Sequence, residues 1–199
     1  MNLYLNCTLA LIALINPVSK IFIISTLSPE TKKGELKRVI VKATIIAAGI
    51  LISFTLIGDI LLKVIFHINI YSLQIVGGLI LLFRGFQALN KGLFFETTTN
   101  QRLEDASIVP LASPMIAGPA TITAALSFPS QYGMITTLIC IIIAIIINFF
   151  VMFYAQAIGN VLKQYNLMGA LIRITGLVVA AIGAQLMLDG IFAYIQFHF

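Results

Sequence analysis

The chain of 199 residues is 60% hydrophobic and only 10% charged, with a mean hydropathy of +1.06, where an ordinary soluble domain carries roughly 25% charged residues. These values exclude a soluble globular protein and predict a single integral membrane domain, with no room for a separate soluble one. The net charge of +5 does not point to nucleic acid, because the basic residues sit mostly in short loops between apolar runs, where membrane topology accounts for them.

Apolar runs of about 20 residues, the length a hydrocarbon core of about 30 Å requires of a helix, recur along the chain. They predict an all-α, polytopic fold with six transmembrane helices near residues 3–27, 39–65, 69–90, 107–128, 134–158 and 169–195. The first run has neither the basic start nor the small-residue cleavage pattern of a signal peptide, so it is expected to stay in the mature protein. Inside it, Ile15 to Phe22 reads INPVSKIF, with an Asn-Pro pair and a lysine in an otherwise apolar segment. Asparagine is a favoured N-cap and proline a favoured first helical residue, so Asn16-Pro17 predicts a new helix starting within the span. Gly118-Pro119 repeats that signal inside the fourth span.

The first loop and its flanks hold Lys32, Lys33, Lys37, Arg38 and Lys42, and the third and fifth loops add Lys91, Arg102 and Lys163. The second loop offers only Lys63 at its edge and the fourth offers none, so loops one, three and five are expected in the cytoplasm and both termini outside. The polar stretch at residues 91–106 reads as a linker between halves 1–90 and 107–199. Cys7 and Cys140 form no CxxC or metal-spaced pair and read as free apolar thiols. Asp59 and Asn160 read as interfacial caps, and Arg173 and Asp189 as anchors at the two ends of the last span.

Compared with itself, the chain repeats. Asn16 falls opposite Gly118, Ser19 opposite Thr121 and Ser25 opposite Ser127 at one constant offset, and Gly58-Asp59 then matches Gly159-Asn160. The last helix of each half aligns Gly78, Gly85 and Gln87 with Gly176, Gly183 and Gln185. Because three helices per half is an odd number, the second half enters the membrane from the opposite side, which predicts two inverted three-helix repeats with broken first and fourth helices.

A helix that starts near the bilayer midplane leaves bare N–H groups there and aims the positive end of its dipole at that point. Such groups must be buried in protein or line a wet cavity, where they suit a carboxylate. The candidate substrate site is therefore Asn16, Pro17, Ser19 and Lys20 with Gly118, Pro119 and Thr121; the bland alternative is a proline kink in each of two continuous helices. Lys20 lies ~7 Å to the cytoplasmic side of the span centre. It reads either as lining an anion-attracting inner vestibule with Arg84 or as snorkelling to the interface. Gln87 and Gln185 read as interhelical hydrogen-bonding or cavity-lining residues.

The motifs NPVSKIFIISTL, PLASPMIAGPATITAAL, GGLILLF and RITGLVVAAIGAQLMLDGI resemble the MarC family of bacterial inner-membrane proteins over nearly the whole chain. The resemblance implies six helices in the plasma membrane and a transport role, often described for small neutral amino acids. The family usually has Gly at Ser19, a small or polar neutral residue at Lys20, often Pro at Phe22 and an aliphatic residue at Arg84, so this chain carries two extra cations beside the site. A secondary transporter or exporter of a small zwitterion or anion is expected, and a non-transporting membrane scaffold is the alternative. No enzyme activity, cofactor or metal is expected, since no acid or histidine is set at depth with a partner. For the same reason proton coupling lacks a carrier, while freed backbone carbonyls leave sodium open as a coupling ion.

Overall fold

Proline at position 17 has no N–H to give the carbonyl of Ala13, and the first apolar run divides there. The computed structural model describes residues 2–26, 33–60, 62, 64, 67–92 and 116–198, and every regular element among them is helical. The first run forms α1 (Asn2–Ile15) and α2 (Pro17–Thr26), as the Asn-Pro pair predicts. The remaining helices are α3 (Lys33–Ile60), α4 (Ile70–Lys91), α5 (Pro119–Tyr132), α6 (Met134–Phe153), α7 (Ala155–Gln164) and α8 (Met168–His198).

Five described segments are long and apolar enough to cross a bilayer: the α1–α2 run, α3, α4, α6 and α8. The chain is thus a polytopic all-helical membrane protein. The fourth predicted span is described only from residue 116, where α5 covers its second part; residues 107–115 and the linker from residue 93 lie outside the described residues, as does the loop at 27–32.

Three expected boundaries move for physical reasons. Helix α3 begins six residues before the predicted start at 39, because Leu36, Val39, Ile40, Ala43, Ala47 and Leu51 form one buried stripe while Lys37, Arg38 and Lys42 stay exposed on the other side. An amphipathic turn extends a helix past the point where hydropathy alone would end it. The fifth span, predicted as one helix over 134–158, divides at Tyr154 (φ −96°, ψ 4°) into α6 and the amphipathic α7. Helix α5 runs to Tyr132, four residues past the predicted end at 128, and carries Pro129 within it.

The core forms where α1, α2, α3, α5 and α6 meet, through residues such as Cys7, Leu11 and Ile15 on α1 and Cys140, Ile141 and Ala144 on α6. Helices α4 and α8 pack antiparallel along a seam of small residues. A Cβ on Gly85 would lie 2.6 Å from the Gly176 carbonyl oxygen, and one on Gly183 would lie 2.7 Å from that of Gly78. The backbones touch, as small residues allow in a medium where lipid competes equally for apolar side chains. Gly58 on α3 packs against Leu126 on α5, and Gly159 on α7 packs against Ser25 on α2.

Since the seam atoms are backbone, a larger side chain there forces the helices apart. Gly85→Val and Gly183→Val are each expected to lower the melting temperature of the purified protein by an amount equivalent to at least the ~1–3 kcal/mol of overpacking. Gly49→Ala, on α3 where nothing stands within 4 Å, should leave it unchanged or slightly raised.

Candidate functional site

Helix α1 ends and α2 begins at a single residue. Asn16 takes φ 52°, a left-handed conformation that asparagine tolerates better than other residues with a Cβ. Its N–H bonds to the Ile12 carbonyl at 2.9 Å, closing α1, while its side-chain oxygen accepts from the Ser19 N–H at 3.4 Å, capping α2. The predicted N-cap role is thus combined with that of a C-terminal residue. The Ser19 hydroxyl donates back to the Asn16 carbonyl at 2.7 Å.

At the second break Gly118 is an ordinary extended N-cap (φ −81°, ψ 171°) ahead of Pro119. The Thr121 hydroxyl lies 2.9 Å from the Gly118 carbonyl and 2.7 Å from that of Ile116. The matched residues Ser19 and Thr121 therefore make the same bond to the residue three positions back.

Lys20 is 1% exposed, and its ammonium donates to the carbonyls of Ile15 and, at 3.3 Å, Asn16. Snorkelling is overturned. Helical side chains lean toward the N-terminus of their helix, so a lysine one turn into α2 is aimed at the break and away from the far interface. It finds there the carbonyls and the negative end of α1. Lys163 does the same one level down, donating to the Ser25 carbonyl at the end of α2 at 2.7 Å.

Both breaks open into one cavity of about 690 Å³. Its polar lining is Asn16, Ser19, Lys20, Arg84 and Thr121; Gly118, Pro119 and Ala120 complete the α5 side. Leu14 and Ile15 of α1, Leu79, Ile80, Leu81 and Phe83 of α4 and Val179 of α8 form apolar walls, which the sequence did not assign to the site. Of the predicted site residues, Pro17, Gln87 and Gln185 are not among those lining it. Gln87 accepts from Arg84 Nη1 at 3.2 Å on its own helix. Gln185 is exposed and donates to Asp189 at 2.8 Å, also on its own helix. Neither glutamine lines the cavity, and the glycines of their helices occupy the α4–α8 seam.

One further polar group lies deep in the fold. Asn148 is fully buried in α6, its side-chain nitrogen 3.1 Å from Met152 Sδ and its oxygen without a hydrogen-bond partner. A single amide inside the run IIIAIIINFF was the available signal.

The family model described as MarC family integral membrane protein matches residues 1–195. A UPF0056 membrane protein of Pyrococcus horikoshii is 34% identical over 186 residues, covering 94% of this chain and 92% of the relative. The UPF0056 membrane protein YvbG of Bacillus subtilis is 28% identical over 194 residues, with 92% and 91% covered. A UPF0056 membrane protein of Methanocaldococcus jannaschii is 29% identical over 191 residues, with 92% of each covered. No solved structure matches.

The left-handed turn at residue 16 separates two substitutions. Asn16→Gly should cost a few tenths of a kcal/mol, because glycine keeps both the conformation and an acceptable cap. Asn16→Ala should cost about 1–2 kcal/mol, and melting of the two variants in one detergent gives the order.

Proposed function

We propose, from the premise that the chain belongs to the MarC family of integral membrane proteins, that it is a secondary transporter or exporter of a small zwitterion or anion, such as a small neutral amino acid. The single observation behind this reading is the cavity of about 690 Å³ into which both helix breaks open. Its volume falls within the range of roughly 300–1,000 Å³ common to small-molecule sites.

The polar groups suit the two ends of an amino acid differently. Proline at position 119 places the first helical N–H groups of α5 on Ala120 and Thr121, which have no acceptor within the helix and line the cavity. They favour a carboxylate. The hydroxyls of Ser19 and Thr121 already direct their protons to backbone carbonyls, so each offers the cavity an oxygen that accepts. That arrangement suits an ammonium. The lining supplies ligands for charge and hydrogen bonding rather than a nucleophile with its base, and the reading is non-enzymatic.

The inverted repeat and six spans belong to this proposal, with α5 as the described end of the fourth. In support, contacts are exchanged between matched residues. Gly78 meets Gly183 and Gly85 meets Gly176, while Gly58 and Gly159 each pack against the half-helix of the other half. Reciprocal contacts of this kind are the mark of a two-fold relation. Such an axis would fall midway between the two glycine contacts, near Leu81 and Val179, and both of those residues line the cavity. The proposal includes an inner-membrane location with both termini outside, supported by the exposed Lys37, Arg38, Lys42 and Lys163.

Saturable uptake of labelled small amino acids or anions into reconstituted liposomes is expected, with at least tenfold loss in Asn16→Leu and Gly118→Leu proteins that remain folded. Flux unchanged in both variants, or absent for every solute, would refute the site. For orientation, a cysteine replacing Lys37 should react with an impermeant thiol reagent in opened cells and not in intact ones.

A further inference from the structure

Two half-helices meet at residue 16, and they meet with opposite needs. The start of α2 requires acceptors, whereas the end of α1 presents oxygens. Within one turn stand the carbonyls of Ile15 and Asn16, the side-chain oxygen of Asn16 and the hydroxyl oxygen of Ser19, all hard oxygen donors at depth in the first span. In transporters with broken helices, carbonyls at the end of a half-helix commonly hold a coupling sodium ion. Here the place is taken by a side chain: the Lys20 ammonium, 1% exposed, rests on two of those carbonyls. Among the described residues, no such cation sits on the carbonyls at the second break. The residue matched to Lys20 is Ile122, and the Thr121 hydroxyl bridges the Ile116 and Gly118 carbonyls instead.

We propose that the Lys20 ammonium is the built-in cation of the first break, occupying a locus suited to sodium, and that removing it opens that locus to the free ion. The ammonium is a compact single charge on a flexible stem, close in kind to a monovalent metal ion and unable to leave. The stated consequence for flux rests on the transport reading: movement of substrate through the wild-type protein needs no sodium gradient at this locus.

The experiment compares melting of the purified protein in sodium chloride and in choline chloride at equal ionic strength, for the wild type, Lys20→Met and Lys20→Ala. Methionine keeps the length of the stem and its packing, and alanine leaves more space for an ion. Wild-type melting should be the same in the two salts. At least one neutral variant should melt lower than wild type in choline and recover with sodium along a saturable curve, by about 5 °C or more once sodium exceeds its half-effect concentration ~100-fold. The idea is overturned if both variants melt identically in the two salts, or if the wild type responds to sodium as strongly as they do. It is overturned as well if neither variant can be obtained folded in either salt, because sodium then does not replace the ammonium. A variant obtained folded only in sodium supports it. Melting reads ion binding and not flux, so a protein that moves no solute can still pass, and a true transporter can still fail.

Discussion

A backbone group freed inside a hydrocarbon layer must find a partner in the protein, since no water is there to serve. The helix ends at Asn16 and at Gly118-Pro119 leave such groups inside the fold, and the chain meets most of them from within itself. Asn16 closes α1 with its N–H and caps α2 with its side chain. Ser19 and Thr121 return their hydroxyl protons across the breaks, and Lys20 and Lys163 cover the carbonyl ends of α1 and α2. Among those left over are the first N–H groups of α5, on Ala120 and Thr121, residues that line the cavity. The position of the candidate site therefore follows from the accounting of hydrogen bonds, independently of any likeness to other proteins.

The glycine contacts set what can move. Where α4 and α8 cross, carbonyl oxygens stand within van der Waals reach of the opposite backbone, which leaves no flexible side chains to absorb a shift. Helix α2 is held by α7, and α5 is held by α3. A motion that parted the chain into its two sequence halves would break both of these contacts and the seam together. On the transport reading, alternating access is easier to reconcile with units that cross the halves, α2 travelling with α7 and α5 with α3.

Much of this was legible in the sequence, because the signals are local. Proline lacks an N–H wherever it stands, and Asn16-Pro17 and Gly118-Pro119 mark helix starts by chemistry alone. The glycine matches marked α4 and α8 as equivalent helices without saying that they touch. Hydropathy misjudged α3 and the α6–α7 boundary because it averages over a turn, whereas a helix continues as long as one face stays buried. Gln87 and Gln185 were assigned to the interior on their matched positions. Burial depends on angle around the helix, and the glycines took the inward angle. The apolar walls from α4 and α8 were beyond reach for a different reason: the residues that line a cavity far along the chain are chosen by tertiary packing.

Lys20 shows how far a residue's meaning depends on direction. Counted from sequence, Lys20 and Arg84 give the cavity two positive charges and make it a strong attractor of anions. In the fold the lysine points at the end of α1, whose macrodipole is equivalent to roughly −0.5 charge, and its protons go to the carbonyls of Ile15 and Asn16. Much of its field is thereby cancelled close to its source. The attraction left for a carboxylate comes mainly from the start of α5 and from Arg84, which line the cavity together with Ser19. On the transport reading, a lining that offers both donors and accepting oxygens suits the two ends of a zwitterion better than a uniformly cationic one would, so a lysine held in this way is compatible with an amino acid.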